Sequence, residues 1–169
     1  MHILDKIVAH KQEEVDALKN RVPEKHLKAL HKSMMPPQPM KQSLANSGRN
    51  GIIAEFKRRS PSAGIINNRV QVTEVAAAYM EARCAGISIL TDYHFFGGST
   101  QDLKAVRAIA DVPLLRKDFI IDPYQITESR AMGASTILLI ASVLSSRQLA
   151  DFTEKAHEYG MEVLVEAHT

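Results

Sequence analysis

The sequence predicts an α/β protein in which a helical extension precedes a parallel sheet. Three observations favour this class: helical apolar spacing at the N-terminus, a connection rich in proline and glycine, and an alternation of short apolar runs with longer amphipathic segments. Strands that alternate with helices are joined by crossovers, which make neighbouring strands parallel. We therefore expect a helical extension at residues 1–50 and a sheet-forming region at residues 51–169.

The extension begins with residues 3–18, whose apolar side chains recur at helical spacing. Charged residues, Lys11 included, lie between them, so we expect a surface helix with one buried apolar stripe. A second helix is predicted at residues 24–32. The prolines at positions 36, 37 and 39 then predict an extended connection, because proline lacks the N–H that a helix interior requires.

Beyond this connection, short apolar runs predict strands and longer amphipathic segments predict helices. The predicted strands are 52–57, 86–91, 112–117, 136–140 and 161–166. The predicted helices are 72–84, 100–110, 123–132 and 147–159. This pattern alone does not separate a closed barrel from an open doubly wound sheet. No Gly-x-Gly-x-x-Gly follows the first strand, which weakens the dinucleotide-binding alternative.

Residues at the helix ends support these assignments. Asp122 precedes a proline and is a good N-cap, since its side chain can accept from a free amide of the first turn. Ser145 and Gln148 have the spacing of a capping box. Gly133 and Gly160 stand just past predicted helix ends, where a left-handed residue is favoured.

The composition excludes several classes of function. Lys and Arg total 21 against 19 Asp and Glu, a formal charge of +2, which does not favour nucleic acid as a partner. We find no membrane-spanning segment, and no spacing typical of a metal site or cofactor, so neither is expected. The single cysteine, Cys84, is expected to be a buried thiol on a helix face. A cytoplasmic protein fits best.

Charged residues stand at the ends of three predicted strands. Lys57, Lys117 and Glu166 close the first, third and fifth strands, and Glu55 shares one face of the first strand with Lys57. In a parallel barrel the carboxyl ends of the strands form the active-site face. Such a group could bind an anionic substrate and transfer protons. The alternative is that Lys57 merely opens a solvated basic run.

Two loops have both a functional and a structural interpretation. The segment 93–99 offers phenylalanines and a glycine pair, which could stack on a substrate ring or simply cover the helical layer. The segment 60–64 is rich in small residues, so it is either an active-site loop or a turn.

Several motifs resemble indole-3-glycerol phosphate synthases. Ile-Leu-Asp-Lys-Ile-Val-Ala-His-Lys at residues 3–11 is similar to the opening helix of that family, and Ile-Ala-Glu-Phe-Lys-Arg-Arg-Ser-Pro-Ser at residues 53–62 resembles its first-strand signature. Supporting matches lie at 89–92, 95–99, 115–120 and 164–167. The resemblance implies a TIM (β/α)8 barrel, of which this chain holds the first four and a half β/α units, with the extension over the active-site mouth.

The resemblance also implies a reaction of tryptophan biosynthesis. In that reaction 1-(2-carboxyphenylamino)-1-deoxyribulose 5-phosphate closes to indole-3-glycerol phosphate with loss of CO2 and water. Lys117 matches the family's general acid and Glu166 its general base. Lys57 matches a lysine that contacts the carboxylate or phosphate of the substrate, and Glu55 matches a residue that orients the lysines.

Three further positions match substrate-binding residues of the family. Ser60 matches an active-site position after the first strand, and Phe96 and Phe119 match positions that line the pocket for the anthranilate ring. The implied partner is a small phosphorylated substrate. For the phenylalanines, the expected contribution is shape and ring contact.

The match departs from the family at the end of the chain. Thr169 follows Glu166 by three residues, so we expect strands six to eight and most of the phosphate-binding loops to be missing. The open barrel edges would then favour self-association or pairing with a missing C-terminal half. We expect this chain to be inactive alone. Two alternatives remain: a non-catalytic half-barrel for assembly, and another phosphate-binding barrel such as a phosphoribosylanthranilate isomerase relative.

Overall fold

A computed structural model describes residues 3–167, so the outermost residues of both predicted regions, 1, 2, 168 and 169, lie outside the described residues. The helices are α1 (Ile3–Arg21), α2 (Glu24–Lys32), α3 (Met40–Leu44), α4 (Val72–Glu81), α5 (Thr100–Arg107), α6 (Pro123–Ala131) and α7 (Ser146–Glu158). The strands are β1 (Ile53–Phe56), β2 (Arg59–Ser60), β3 (Gly64–Ile65), β4 (Gly86–Leu90), β5 (Leu114–Lys117), β6 (Thr136–Ile140) and β7 (Glu162–Glu166).

The main sheet contains five strands in the order β1-β4-β5-β6-β7, and every neighbouring pair is parallel. The spatial order follows the chain order without reversal. A doubly wound sheet would reverse its order at a switch point, whereas successive strands of a (β/α)8 barrel are neighbours. The sheet is therefore part of a TIM barrel, which confirms the predicted fold class and decides between the two open alternatives.

The two faces of the sheet bury different side chains. Ile87, Ile89, Leu114, Ile137 and Leu139 are fully buried under the helical layer. Alternate positions face the opposite side, where Leu115, Leu138 and Ile140 form a second, smaller cluster. This alternation is the period of two that a strand imposes. The second face is the inside of the barrel, and it carries the polar residues described below.

The extension differs from the sequence prediction in two respects. Lys11 was expected among the charged residues of an exposed face, but it is buried with Ile7 and Val15 along one stripe of α1. The proline connection was expected to be wholly extended, yet Pro39 begins the short helix α3. Proline is tolerated there because the first residues of a helix need no N–H partner. α2 covers the predicted residues 24–32.

Met40 at the start of α3 closes the lower end of the barrel interior. It packs in the inner cluster with Leu115 and Leu138. Gly86 at the start of β4 makes this approach possible, since a methyl group on Gly86 would overlap the Met40 sulfur. The absence of a side chain at Gly86 therefore lets the extension reach under the sheet.

One local prediction was confirmed in part and another was wrong. The small-residue segment 60–64 was expected to be an active-site loop or a turn. Residues 61–63 form a turn, which joins the strands of an antiparallel hairpin that pairs Arg59 with Ile65 and Ser60 with Gly64. Cys84 was expected on a helix face. It is buried as predicted, but it lies in the connection after α4, where Arg83 adopts a left-handed conformation with φ of 60°.

The predicted caps are confirmed. Asp122 and Ser145 both form complete capping boxes, with Gln125 and Gln148 as the reciprocal partners. Gly133 and Gly160 have φ of 89° and 71°, the left-handed region favoured after a helix. These caps set the limits of α6 and α7, and hence of the loops that follow β5 and β6.

β1 and β7 form the two edges of the main sheet within the described residues. Ile52 beside β1 and Leu164 and Val165 on β7 are exposed apolar side chains at 56%, 43% and 52%. The expected open edges are therefore present in residues 3–167. No helix in this part of the chain combines the length and apolar character that a bilayer crossing demands.

Candidate active site

A cavity of about 600 Å³ opens at the carboxyl ends of the parallel strands. The first turn of α1 covers part of it. Its lining residues are Ile3, Leu4, Glu55, Lys57, Leu90, Phe96, Lys117, Asp118, Phe119, Leu138, Ile140, Ser142 and Glu166. Six of the seven residues predicted for the site thus line one cavity, the seventh being Ser60.

Glu55, Lys57, Lys117 and Glu166 form a row of alternating charges along the cavity wall. Glu55 lies between the two lysines, with Oε1 3.4 Å from Lys57 Nζ and Oε2 3.5 Å from Lys117 Nζ. Lys117 Nζ is also 3.9 Å from Glu166 Oε2. We call these four residues the open charge row. Each side chain is about one third exposed, at 30–34%, so a ligand can reach the charged atoms.

The strand register accounts for this row. Glu55 on β1 is paired with Ser88 on β4, and Ser88 Oγ donates a hydrogen bond of 3.1 Å to Glu55 Oε2. Leu90 pairs with Lys117, and Ile140 pairs with Glu166. Because all these strands are parallel and end together, their last inward residues converge at one level. Alternating charges at this distance can hold an anionic substrate and carry protons to and from it.

Phe96 and Phe119 form the apolar part of the wall. Their ring centroids are 6.0 Å apart, with planes inclined at 36°. Both phenylalanines belong to loops that follow strands, β4 and β5 respectively. Two inclined aromatic faces beside a charged row suit a planar, partly apolar ligand that carries a negative charge. Ile3 and Leu4 add aliphatic surface from the extension.

Ser60 is not among the residues that line the cavity. It lies on β2, where its hydroxyl accepts a hydrogen bond from the Ala63 amide at 3.1 Å and contacts the Ser62 hydroxyl at 3.3 Å. The hydroxyl therefore stabilises the turn of the hairpin. The structure does not bring Ser60 together with the other predicted residues.

The basic run that begins at Lys57 is not simply solvated. Arg58 makes a two-pronged ion pair with Asp102 of α5. Arg59 donates to the carbonyl groups of Tyr93 and His94 in the loop after β4. These contacts attach the residues that follow β1 to α5 and to the loop after β4. Of the three basic residues, only Lys57 lines the cavity.

A second charged cluster lies directly behind the cavity and was missed by the sequence analysis. Lys11 of α1 contacts Asp92 Oδ2 at 2.9 Å and Asp118 Oδ1 at 3.1 Å. Arg116 contacts Asp118 Oδ2 at 3.0 Å and Glu128 Oε2 at 2.8 Å. We call Lys11, Asp92, Asp118 and Arg116 the buried charge cluster. Their side chains are only 0–5% exposed.

Lys11, Arg116 and Asp118 stabilise one another in their charged forms. Burial alone would lower the pKa values of Lys11 and Arg116, but the neighbouring carboxylates outweigh it and raise both. Burial would likewise raise the pKa of Asp118, yet Arg116 and Lys11 hold it below its usual range. The Thr91 hydroxyl donates to Asp118 at 2.6 Å. Lys11, Arg116 and Asp118 therefore stay charged near neutral pH.

Some of the residues that the sequence analysis did not name could have been found from their spacing, and others could not. Inward-facing Leu138 and Ile140 follow from strand alternation once the face is known. The pairing of Lys11 with carboxylates more than 80 positions later leaves no local pattern. Within residues 3–167, no group of three or more His, Cys, Asp or Glu side chains is arranged to hold a metal ion.

A sequence model of the indole-3-glycerol phosphate synthase family matches residues 4–169 of this chain. Proteins named indole-3-glycerol phosphate synthase are also similar over almost its whole length. The protein from Bacteroides thetaiotaomicron is 44% identical over 167 residues, covering 99% of this chain and 64% of the relative. The match is to the family that the resemblance indicated, rather than to an isomerase barrel.

Two other relatives have similar identity to this chain and similar coverage. The protein of that name from Carboxydothermus hydrogenoformans is 41% identical over 172 residues, covering 98% of this chain and 65% of the relative. The one from Neisseria meningitidis serogroup B is 43% identical over 169 residues, with coverage of 98% and 65%. The chain thus spans slightly less than two thirds of the length of the curated relatives it matches.

Proposed function

The chain belongs to the indole-3-glycerol phosphate synthase family, and from that premise we propose that its cavity is the ring-binding and acid–base part of a synthase active site. The enzyme class is a carbon–carbon lyase that releases CO2. The observation that carries the proposal is the convergence of the open charge row with Phe96 and Phe119 in one cavity. The row offers proton-transfer groups, and the two rings offer a surface for an anthranilate.

The substrate proposed is 1-(2-carboxyphenylamino)-1-deoxyribulose 5-phosphate. Its ring carbon attacks the ketone carbon, a new C–C bond forms, and the ketone oxygen gains a proton as negative charge develops on it. Lys117 is proposed as the acid that supplies this proton. The ring then loses CO2, and the electron pair of the broken bond restores its aromaticity.

The final step removes water. Hydroxide leaves the new ring carbon with a proton from an acid, and the adjacent CH2 group loses a proton to a base. Glu166 is proposed as this base, since it lies 3.9 Å from Lys117 across the cavity mouth. Glu55 orients both lysines, being within 3.5 Å of each. Lys57 is proposed to pair with the substrate carboxylate, which leaves as CO2.

The extension has a defined place in this proposal. The first turn of α1 covers the cavity, so residues 1–50 act as the cover of the active-site mouth and residues 51–169 as the barrel part. Ser60 is proposed to act through the hairpin β2–β3 rather than by direct contact. The buried free thiol of Cys84 favours a reducing compartment, and we place the protein in the cytoplasm.

Completion of the barrel is part of the same proposal. The edges β1 and β7 carry exposed apolar side chains. The match covers 64% of the relative from Bacteroides thetaiotaomicron, so about one third of that relative lies outside it. We propose that these edges pair with the polypeptide that supplies the later strands. An exposed parallel edge has unpaired backbone groups that favour such pairing.

The test is turnover of the proposed substrate, followed by the fluorescence of the indole product. The chain is assayed alone and mixed with a polypeptide that holds the remaining third of a relative. We expect turnover only in the mixture, and a loss of about 100- to 10,000-fold for Lys117→Met because a proton-transfer group is removed. Lys104→Met, an exposed lysine on α5, is the matched control.

Either of two results would contradict the proposal. One is full activity of Lys117→Met in the mixture. The other is a stable mixed barrel that binds no anthranilate and turns over no substrate, which would favour the assembly module instead. Measurement of the molecular mass in solution shows whether the mixed barrel has formed.

A further inference from the structure

We propose that Lys11 is a positioning residue whose single ammonium group aligns three walls of the cavity. This inference deepens the proposed function and rests on it, since the walls matter only if the cavity binds a ring. The three walls are the first turn of α1, the loop that carries Phe96 and the loop that carries Phe119. Lys11 Nζ contacts Glu14 Oε2 on its own helix at 2.5 Å, and its two partners on the barrel, Asp92 and Asp118, each hold one of the two loops.

The first wall is the helix itself. Lys11 follows Leu4 by seven residues, which is about two turns, so the two side chains lie on the same face of α1. Leu4 lines the cavity, while Lys11 is buried behind it at 4% exposure. The position of Lys11 therefore sets the height and rotation at which the first turn of α1 covers the cavity.

The second wall is held through Asp92. One oxygen, Oδ2, pairs with Lys11 at 2.9 Å. The other, Oδ1, accepts from the peptide N–H groups of Phe95 at 2.8 Å and Phe96 at 3.2 Å. The carboxylate thus links the ammonium group directly to the backbone that carries the Phe96 ring. A rotation of this carboxylate would move that backbone.

The third wall is held through Asp118 in a related way. Its Oδ1 lies 3.1 Å from Lys11 Nζ and accepts from the Phe119 amide at 2.8 Å. Asp118 directly follows Lys117 in sequence, so its orientation also bears on the end of β5. One ammonium group therefore contacts the two carboxylates that hold the two cavity phenylalanines.

The two carboxylates do not depend on Lys11 equally. Arg116 pairs with Asp118 and would still neutralise it if Lys11 were removed. Within residues 3–167, the ion pair recorded for Asp92 is the one with Lys11. Loss of the ammonium group would leave two buried carboxylates facing each other with one cation, and Asp92 would be the one to turn away. The Phe96 loop should therefore loosen more than the Phe119 loop.

α1 contains a matched control for this role. Lys19 pairs with Asp122 at 2.5 Å, and Asp122 also accepts from a peptide N–H, that of Tyr124. Lys19 thus fastens the same helix to the barrel by the same chemistry. It does not line the cavity, and neither does its partner. The Lys19 pair is more exposed, at 39% and 19%, so Lys19→Met tests the loss of a docking ion pair, and amides outside the two loops report general destabilisation. Positioning predicts faster exchange confined to the Phe95, Phe96 and Phe119 amides in Lys11 variants.

The experiment compares Lys11→Met with Lys19→Met in the whole chain, using two measurements. The first is hydrogen exchange of the Phe95, Phe96 and Phe119 amides, which needs no ligand. The second is binding of N-methylanthranilate, a fluorescent ring that carries a carboxylate. For Lys11→Met we expect faster exchange at these amides and a Kd about tenfold higher, against a change within about twofold for Lys19→Met. Lys11→Arg should restore most of the affinity.

The outcomes separate the two proposals. If the unaltered chain binds no probe, the ring site of the proposed function fails, and the exchange of the three amides alone decides the role of Lys11. Unchanged exchange in folded Lys11→Met overturns the positioning role, and so does an equal loss in Lys19→Met. If Lys11→Met does not fold, Asp92→Asn replaces it. This variant keeps an oxygen for the two amides but weakens the pair with Lys11, and unchanged probe affinity in it would overturn the role.

Discussion

Two clusters of charge lie on either side of the same cavity wall, and they are built differently. In the open charge row, Nζ to carboxylate distances are 3.4–3.9 Å and the side chains are about one third exposed. In the buried charge cluster, the nitrogen-to-carboxylate distances are 2.9–3.1 Å and the side chains are 0–5% exposed. The first cluster leaves room for a ligand, and the second is complete by itself.

The difference shows that burial determines whether charged residues are available for chemistry or contribute to the stability of the fold. A half-exposed pair in water contributes little to stability, so its charges are available for chemistry. A buried pair costs desolvation, and removal of one partner leaves an uncompensated charge. The buried cluster therefore acts on the fold, and it meets the cavity through Asp118, which lines it, and through the backbone amides that the cluster holds. Four predictions test this division.

The largest effect is expected for Arg116→Met. The guanidinium group contacts Asp118, Glu128, Ser129, Thr91 and a backbone carbonyl, and all these partners would be left without it. We expect the free energy of unfolding to fall by about 3–5 kcal/mol, the usual cost of breaking a buried ion pair. Urea unfolding measures it.

Arg147→Met is the control for that variant. Arg147 makes an exposed pair with Asp151 one turn along α7. Its removal should change stability by no more than about 0.5 kcal/mol. Equal losses in the two variants would contradict the division by burial.

The next effect concerns Gly98, which lies in the loop after β4 against the backbone of Leu90 and Asp92. Its amide donates to the Asp92 carbonyl at 2.7 Å, and an added methyl group would overlap backbone atoms of Leu90 and Asp92. We expect Gly98→Ala to cost about 1–3 kcal/mol in thermal or urea unfolding, because backbone cannot move aside as a side chain can. In Gly48→Ala, the added methyl meets only the end of the exposed Asn46 side chain. A smaller loss at Gly98 than at Gly48 would show that the loop after β4 shifts freely.

A third prediction follows from the lowered pKa of Asp118. Its pKa is lower in the folded than in the unfolded chain, so its contribution to stability is complete above the unfolded value, about 3.9. That contribution is lost as the pH falls from there towards the native value. The stability difference between the unaltered chain and Asp118→Asn should therefore be constant near neutral pH and shrink below about pH 4. A difference independent of pH in acid would contradict the assignment.

The smallest effect is expected for Lys117→Met in the open charge row. Its side chain is 30% exposed, and its contacts with Glu55 and Glu166 are long. The free energy of unfolding should change by less than about 1 kcal/mol. The same substitution is proposed to lower turnover by about 100- to 10,000-fold, so stability and activity separate at this residue. A loss of several kcal/mol would mean that the open charge row also holds the fold.

The sequence predicted those parts of the molecule that depend on local pattern. The order of the strands and helices, the N-cap of Asp122, the capping box of Ser145, and the meeting of Lys57 with Lys117 and Glu166 all follow from local residue patterns and the geometry of parallel strands. The burial of Lys11 could not be predicted in this way, because a lysine between charged residues has the pattern of a solvated helix face. Its burial depends on carboxylates supplied by β/α units far along the chain.

Two short elements, α3 and the β2–β3 hairpin, were not predicted for a related reason. α3 has five residues after a proline, too few for a periodic signal, and its position is set by contact of Met40 with Gly86. The β2–β3 hairpin pairs two residues with two, so its strands have no measurable alternation. Both were decided by tertiary contacts, against which local propensity is a weak guide.

The docking of the extension has a consequence for the order of events during synthesis. The extension is made first, but the Lys41 amide binds Glu162 Oε2, 121 residues later, and α2 packs on α6. At roughly 5–20 residues per second, a ribosome needs on the order of ten seconds to deliver that partner. The strands β1, β4 and β5 can pair in turn before α6 is made, and until then the apolar residues of α1 and α2 that pack on Tyr124 have nothing to cover them. The extension therefore emerges before the barrel elements on which it packs, and its exposed apolar stripe is a surface that a chaperone can bind in the meantime.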